Sequence, residues 1–423
     1  MVNFESSLSS NYSLSEIYFS VNGLFNMFAF IMLISIWLSE EVIADDKLKS
    51  EKPIPILAWI GPPENETTVQ RYKEMADAGF THSFSFFNSV EAMEKAINVA
   101  HATKIKMFVY CPELKKNPED VVKKFMKHPA LAGYHIIDEP SAKQFPELAA
   151  WVKRIQALDK NHWCYINLFP NYASLGALGT NSYQEHVDRF IAEVPSEIIS
   201  FDHYPIIGNT VRSQFYENLE IISNSCNKAK KPFWGFTLSV QHASFPMPLI
   251  EHMRLQVFSN LAYGASGIQY FTYWTPPKYD VYVFEHAPIE LDGKKSPVYE
   301  LTKTLNKEIQ GLSGVFMGSK VISLGHTGNL PVGTKAFEAS APIESLKTEG
   351  NGAVVSLLAQ KDRRFLVVVN RDILATMPLK VTFDVNAKMS IVDKTGNILP
   401  INGNELNVTV DKGDIVVLTW LTK

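Results

Sequence analysis

The pattern of apolar and polar positions divides most of the chain into two regions of different texture. From Pro53 to about Leu312, short apolar runs of strand type alternate with segments whose apolar residues recur at helical spacing. Such alternation is typical of parallel β–α–β units. Beyond Gly314 the apolar runs are short, alternate in polarity and are separated by turn residues, which favours antiparallel strands.

Eight strand candidates lie in the first region. They are Ile54–Ile60, Phe80–Phe86, Lys106–Tyr110, Leu131–Asp138, His162–Phe169, Ile198–Tyr204, Pro232–Val240 and Gly267–Trp274. Their carboxyl ends recur roughly every 24 to 36 residues, and a barrel of eight such units needs about 250 residues. The pattern therefore predicts a (β/α)₈ barrel over residues 53–312.

The segments between the strands keep a helical phase. After the fourth strand, Ser141 and Gln144 suit a capping box, and an apolar stripe follows at spacings of three and four. That stripe consists of Phe145, Leu148, Val152 and Ile155. A dinucleotide-binding fold is the competing α/β interpretation, but no GxGxxG motif follows the first strand.

The last region predicts a second domain over residues 315–423. Its strand candidates are Gly352–Gln360, Phe365–Asn370, Leu379–Asp384, Glu405–Val410 and Asp414–Trp420. Short alternating strands with turns between them are typical of a β-sandwich. The fold class predicted for the chain is thus α/β, a barrel followed by a sandwich.

Residues 1–46 have the shape of an export signal. They contain no Lys or Arg, yet Leu24–Leu38 is almost wholly apolar and is followed by Val42-Ile43-Ala44, which suits cleavage before Asp45. An uncleaved membrane anchor and a start at Met27 remain open alternatives. We expect an exported protein, whether periplasmic, extracellular or at the cell surface.

Composition narrows the partners. The formal charge of -4 from 40 basic and 44 acidic residues lacks the basic excess of a nucleic-acid binder. Aromatic residues reach 12%, and flat rings suit stacking on the apolar faces of sugars. The three cysteines form no CxxC pair, so the sequence implies neither a disulfide framework nor a metal site, and it implies no cofactor.

The sharpest chemical signal is the end of the fourth strand. Tyr134–Pro140 reads YHIIDEP, an apolar strand that ends in Asp138 and Glu139. Adjacent carboxylates at the partly dry mouth of a barrel repel each other, which raises the pKa of one of them. A carboxyl group that holds its proton near neutral pH can act as a general acid.

At these residues the chain resembles clan A glycoside hydrolases, and most closely the catalytic barrels of family-42 β-galactosidases. The resemblance covers Ile54–Leu312 and, more loosely, the sandwich. It implies that Glu139 is the acid/base, with Asp138 in the place of the usual Asn. It also implies that Asp202-His203-Tyr204-Pro205 contacts sugar and that Tyr270–Pro276 forms an aromatic platform.

The chain departs from that family at the seventh strand, where the clan carries its Glu nucleophile. Phe233–His242 contains no carboxylate, and the next acid, Glu251, is expected in the following helix. The candidates for a second catalytic carboxylate are the acidic residues that end or follow a strand. They are Asp202, which is preferred, and Glu113, Asp280 and Glu285.

Further residues are candidates for substrate binding. Trp59, Trp234 and Trp274 are taken to end strands one, seven and eight and to stack on sugars. His135 and His242 are expected to donate hydrogen bonds to hydroxyl groups. Tyr204 and Glu285 complete the predicted binding set.

The sequence therefore predicts a hydrolase of oligosaccharide or polysaccharide O-glycosidic bonds, with Glu139 as general acid. Two alternatives stay open. In the first, Asp138 orients the 2-acetamido group of an N-acetylhexosaminide and that group attacks in place of an enzyme nucleophile. In the second, the barrel binds carbohydrate without catalysis. The sugar, the linkage and the oligomeric state are not determined by the sequence.

Overall fold

A computed structural model describes Lys47, Leu48, Ser50 and residues 52–422. The predicted export signal lies outside these residues. Within them, no helix is long and apolar enough to cross a membrane.

Eight parallel strands close into a barrel in the order of the sequence. They are β1 (Ile56–Trp59), β2 (His82–Phe84), β3 (Lys106–Val109), β4 (Leu131–Asp138), β5 (Trp163–Leu168), β6 (Ile199–Phe201), β7 (Phe233–Leu238) and β8 (Gly267–Phe271). The first strand pairs with the eighth, with Ile56 opposite Ile268. The prediction of a (β/α)₈ barrel is confirmed, and all eight predicted runs contain a strand.

Helices cover the outside of the barrel. They are α1 (Val69–Asp77), α2 (Val90–Ala102), α3 (Pro112–Lys116), α4 (Pro118–Phe125), α5 (Phe145–Gln156), α6 (Leu175–Leu178), α7 (Tyr183–Glu193), α8 (Gln214–Ala229), α9 (Ile250–Ala262), α10 (Pro297–Gly311) and α11 (Ser313–Phe316). Before α5, the Gln144 side chain accepts a hydrogen bond from the backbone N–H of Ser141 at 2.9 Å. The stripe predicted for α5 is buried, so its periodicity marked the face that covers the barrel.

The interior of the barrel is filled with side chains rather than open. Its cluster includes Trp59, Phe84, Tyr165 and Phe236. The ring centroid of Trp59 lies 4.6 Å from that of Phe84, 5.7 Å from that of Tyr165 and 5.4 Å from that of Phe236. This packing leaves the carboxyl ends of the strands as the open face of the barrel.

Two antiparallel sheets follow the barrel. Their strands are β9 (Lys320–His326), β10 (Ile343–Thr348), β11 (Ala353–Gln360), β12 (Arg363–Asn370), β13 (Met377–Phe383), β14 (Ser390–Val392), β15 (Ile398–Pro400), β16 (Glu405–Val410) and β17 (Ile415–Leu421). One sheet has the order β9-β11-β12-β17-β14-β15 and the other β10-β13-β16. The predicted β-sandwich is confirmed, although the strands β9, β10, β14 and β15 were not predicted.

Side chains on the two faces of β12 pack in different directions, one face into the sandwich and the other against the barrel. Leu366 and Val368 face the core between the two sheets, whereas Val367 and Val369 belong to the same apolar cluster as Met253 of α9. The chain from Leu48 onward accordingly forms one compact unit. A charged cluster of Arg254, Glu308, Lys394 and Asp414 reinforces this contact.

Candidate active site

The end of β4 places two acidic residues at the open face of the barrel. The pairing of β4 with β5 shifts register between His135 and Ile137, after which Asp138 lies opposite Asn167. The backbone N–H of Glu139 donates to the carbonyl of Asn167 at 2.8 Å, and Glu139 has a φ of 46°. A positive φ is unfavourable for a residue with a side chain, and such strain is concentrated at functional sites.

A third carboxylate, Asp202, joins this pair from the end of β6. The amide nitrogen of Asn167 donates to Oδ1 of Asp138 at 3.0 Å and to Oδ1 of Asp202 at 3.1 Å. One buried amide thus holds carboxylates from two different strands with its two N–H groups. Asp202 is 9% exposed, Glu139 is half-buried, and Asp138 keeps access to solvent.

The orientation of the Asn167 amide is determined by polar groups beneath it. Its Oδ1 accepts from Oγ of Ser200 at 2.8 Å, and that Oγ accepts from Nε2 of Gln269 at 2.9 Å. The hydroxyl of Tyr165 donates to Oε1 of Gln269. Since Asn167 Oδ1 is engaged by a donor, its NH₂ group must face the carboxylates.

The three carboxyl groups hold protons more tightly than free side chains do. Desolvation, followed by the charge of Asp138, raises the pKa of Glu139 to about 7, and a hydrogen bond with Asp202 partly offsets the rise. Burial and then the charge of Glu139 raise the pKa of Asp202 well above its usual range. Because neighbouring carboxylates repel each other, this crowding favours a proton on at least one of the three groups.

Asp138 differs from the other two carboxyl groups in its exposure to solvent. It touches solvent, but the protein crowded around it raises the pKa of its carboxyl through desolvation, while the hydrogen bond from Asn167 opposes that rise. At neutral pH the site can therefore contain a carboxylate and a proton-bearing carboxyl group side by side. Such a pair can protonate one atom of a ligand and stabilise positive charge or activate water at another.

The three predicted tryptophans are nearly fully buried. Trp59 is 3% exposed inside the barrel, and Trp274 is 4% exposed in the outer core, beneath the guanidinium of Arg71. Trp234 is the second residue of β7 rather than its end, and it is 1% exposed. The expectation that these rings stack on sugars is therefore corrected, because stacking needs a free ring face.

The two predicted histidines differ. His135 is buried, stacks on Phe84 with centroids 4.1 Å apart and has no hydrogen-bond partner among the described residues. Burial lowers its pKa to about 3, so the ring is neutral, and its expected contact with sugar hydroxyls stays a prediction. His242 lies at the rim and stacks on Phe284, with centroids 5.0 Å apart.

Other aromatic rings surround the open face. The ring centroid of Tyr204 lies 5.6 Å from that of Phe271 and 5.9 Å from that of Phe245. Phe86 is half exposed next to Tyr110, at 5.1 Å. These rings lie at or after strand ends, and the sequence analysis identified Tyr204 and, within Tyr270–Pro276, Phe271 among them.

The remaining acidic candidates make no hydrogen bond to Asn167, which holds Asp138 and Asp202. Glu285 is exposed in a two-residue strand that pairs with Gln241–His242, and Asp280 is exposed in the same loop. Glu113 lies in α3. Glu251 lies in the first turn of α9, as expected, and the hydroxyl of Ser239, just after β7, donates to the carbonyl of Thr272.

Three residues of the site were missed by the sequence analysis. Asn167 is an amide inside the apolar run WCYINL, and such a polar interruption near a strand end was a usable signal. Tyr172 and Arg212 follow β5 and β6 in loops, and nothing in their local sequence distinguishes them.

Comparison with known proteins gave a fold and no closer relative. No family model matches the chain, and no curated protein matches it either. Among solved structures, it is similar to a catalytic mutant of a GH42 β-galactosidase from G. stearothermophilus, at 9% identity and a TM-score of 0.58 over 89% of this chain and 99% of that one.

Two further structures have comparable similarity. A β-galactosidase from Bacillus circulans sp. alkalophilus has 10% identity and a TM-score of 0.56, over 88% of this chain and 100% of that one. A family 5 glycoside hydrolase from Bacteroides vulgatus has 12% identity and a TM-score of 0.54, over 88% and 89%. The chain thus has the barrel-and-sandwich fold of known glycoside hydrolases, a likeness that concerns the fold alone.

Proposed function

We propose that the protein is a glycoside hydrolase that cleaves O-glycosidic bonds of an oligosaccharide or polysaccharide. The observation that carries this proposal is the carboxyl cluster at the open face, in which Asn167 holds Asp138 and Asp202, and Glu139 follows Asp138 with a raised pKa. Carboxyl pairs with different protonation states are what glycoside hydrolysis requires. The similarity of the whole fold to GH42 and family 5 enzymes adds support.

Glu139 is the proposed general acid. It is less buried than Asp202, and its pKa of about 7 is suited to proton transfer near neutral pH. As the bond between the anomeric carbon and the leaving oxygen breaks, the proton of Glu139 passes to that oxygen. Water supplies the new oxygen at the anomeric carbon, and its proton returns to the carboxyl cluster.

Asp202 and Asp138 divide the remaining work in this proposal. Asp202 is buried and is held by Asn167. It therefore influences the pKa of Glu139 and shares the negative charge that Glu139 acquires when its proton has been transferred. Asp138 is solvent-accessible and fixed by the same amide, which suits it to receive the proton of water or to stabilise the positive charge on the sugar. The β7 nucleophile of family-42 enzymes has no counterpart in this scheme.

A second candidate function is favoured by the same amide. Because Asn167 fixes Asp138 immediately beside Glu139, Asp138 can orient a 2-acetamido group of an N-acetylhexosaminide while Glu139 protonates the leaving oxygen. Silent carbohydrate binding is less favoured, since a pure binding site has no need for three mutually repelling carboxyl groups.

The test is a screen of aryl glycosides, including N-acetylhexosaminides, with the wild-type protein, Glu139→Gln and Glu405→Gln, an exposed control in the sandwich. Loss of the transferable proton should lower the rate about 10²–10⁴-fold with a sugar leaving group and much less with an activated phenolate. NMR of the first product then gives the stereochemical course. A substrate that Glu139→Gln hydrolyses at the wild-type rate would remove Glu139 from the mechanism.

A further inference from the structure

Arg212 stands beside the carboxyl cluster without a charged partner. It follows β6 and a short hairpin, Ile206–Ile207 with Thr210–Val211, and its backbone N–H donates to the carbonyl of Pro205 at 2.7 Å. No ion pair among the described residues includes Arg212, and its Nε is shielded from solvent without a hydrogen-bond partner there. A shielded guanidinium group that lacks hydrogen-bond acceptors is stabilised when an anion binds to it.

Stacking holds the Arg212 side chain in place. Its guanidinium carbon lies 4.3 Å from the ring centroid of Tyr172 and 5.9 Å from that of Phe245. A planar guanidinium held over an aromatic ring is pre-organised, so it loses little conformational entropy when a planar or tetrahedral anion binds.

Tyr172 links this arginine to the carboxyl cluster. After burial, the charge of Asp202 raises the pKa of the Tyr172 hydroxyl, the charge of Glu139 acts in the same direction and Arg212 opposes both. The ring centroid of Tyr172 also lies 4.9 Å from that of His203, the residue after Asp202, so Tyr172 packs beside the end of β6. Only the ring of Tyr172 therefore separates Arg212 from the carboxyl cluster at which bond cleavage is proposed.

A groove leads from Arg212 to the sandwich. Its volume is about 410 Å³, and it is lined by both the loop after β6 and the turn after β12. Arg371 lies in its wall, where Nη2 donates to the carbonyls of Thr327 and Asn329 at 2.7 Å each. The Asp372 carboxylate, which is also in the wall, already accepts from Asn351 and from two backbone N–H groups.

We propose that this groove receives the part of the glycan next to the scissile bond and that Arg212 binds an anionic group on it. The substrate class is then an acidic polysaccharide whose sugar units carry carboxylate or sulfate groups. This inference rests on the proposed glycosidase function. A carboxylate or sulfate offers two oxygens to the fork of N–H groups, which neutral hydroxyls cannot match.

The experiment measures binding rather than turnover. Glu139→Gln protein is applied to an array of neutral, uronate-containing and sulfated oligosaccharides, and each bound glycan is then titrated by calorimetry. We expect acidic glycans to bind and Arg212→Met, made in the same background, to weaken them about 10- to 100-fold. The uronate and sulfate arms identify which anion is recognised.

Two further variants separate recognition from folding. Arg212→Lys keeps the charge but not the bidentate fork, so its loss of affinity should be intermediate. Arg189→Met is a matched control, because Arg189 also lies over an aromatic ring, that of Phe145 at 6.0 Å, but on α7 and paired with Glu193. Arg189→Met should bind acidic glycans as its parent does.

Other outcomes are equally decisive. Binding of neutral glycans alone, or acidic binding that Arg212→Met leaves unchanged in a protein that melts as its parent does, would overturn the anion site while leaving the glycosidase proposal standing. Failure to bind any glycan would contradict the proposed function itself, and with it this inference.

Discussion

Replacing Glu139 by Gln should stabilise the protein at high pH, because the ionised carboxylate of Glu139 lowers the free energy of unfolding. In the folded chain the pKa of Glu139 is about 7, against an ordinary value of 4.5. Below pH 4.5 the carboxyl is protonated in both the folded and the unfolded states. As the pH rises through 7 the folded state must ionise a desolvated group beside Asp138, so stability falls over this range.

The size of the effect follows from the shift. A rise from 4.5 to about 7 corresponds to about 3 kcal/mol at most, and partial solvation of a half-buried group reduces this to about 1–3 kcal/mol. Gln keeps the shape of the side chain and cannot ionise. Glu139→Gln should therefore exceed the wild type in free energy of unfolding by that amount at pH 8 and differ little at pH 4.5.

Urea unfolding at both pH values measures this difference without any substrate. The matched control is Glu285→Gln, an exposed acid of the rim loop, which should change stability by less than about 0.5 kcal/mol at either pH. If Glu139→Gln is less stable than the wild type at pH 8, or if its gain is the same at pH 4.5 and pH 8, then the pKa of Glu139 is not raised in the folded protein and the reasoning is wrong.

Three other predictions test separate parts of the molecule. The first variant, Asn167→Leu, removes the amide that bridges two carboxylates. It should lower activity on any confirmed substrate by at least about 10-fold and shift the pH–rate profile to higher pH. A purely structural role of Asn167 would leave the pH–rate profile unchanged. Asp414→Asn should lower the free energy of unfolding in urea by about 2–4 kcal/mol, because it removes a carboxylate partner of Arg254 and Lys394 where the sandwich meets the barrel. The control Glu405→Gln, at an exposed ion pair, should lower it by less than about 1 kcal/mol. Mass spectrometry of protein from its native host should find an amino terminus near Asp45, and intact chains held in the membrane fraction would instead favour an anchor.

The sequence by itself determined the architecture, because the spacing of apolar residues within each segment indicates whether that segment forms a strand or a helix. Apolar runs of strand length separated by stripes at helical spacing specify parallel units, and each run needed only its own residues to be recognised. The same local reasoning identified Asp138 and Glu139, since charge at the end of an apolar strand is costly wherever that strand lies. The strands β14 and β15 escaped it because each has only three residues.

Only the tertiary structure decided which side chains meet and which way they face. Asn167 joins Asp138 to Asp202 across three strands, and Arg212 reaches the cluster through Tyr172 from a loop, so neither relation has a sequence spacing that reveals it. Trp59 and Trp234 look equally suited to sugar binding in the sequence. The closed barrel buries both, because a small barrel must fill its interior with side chains.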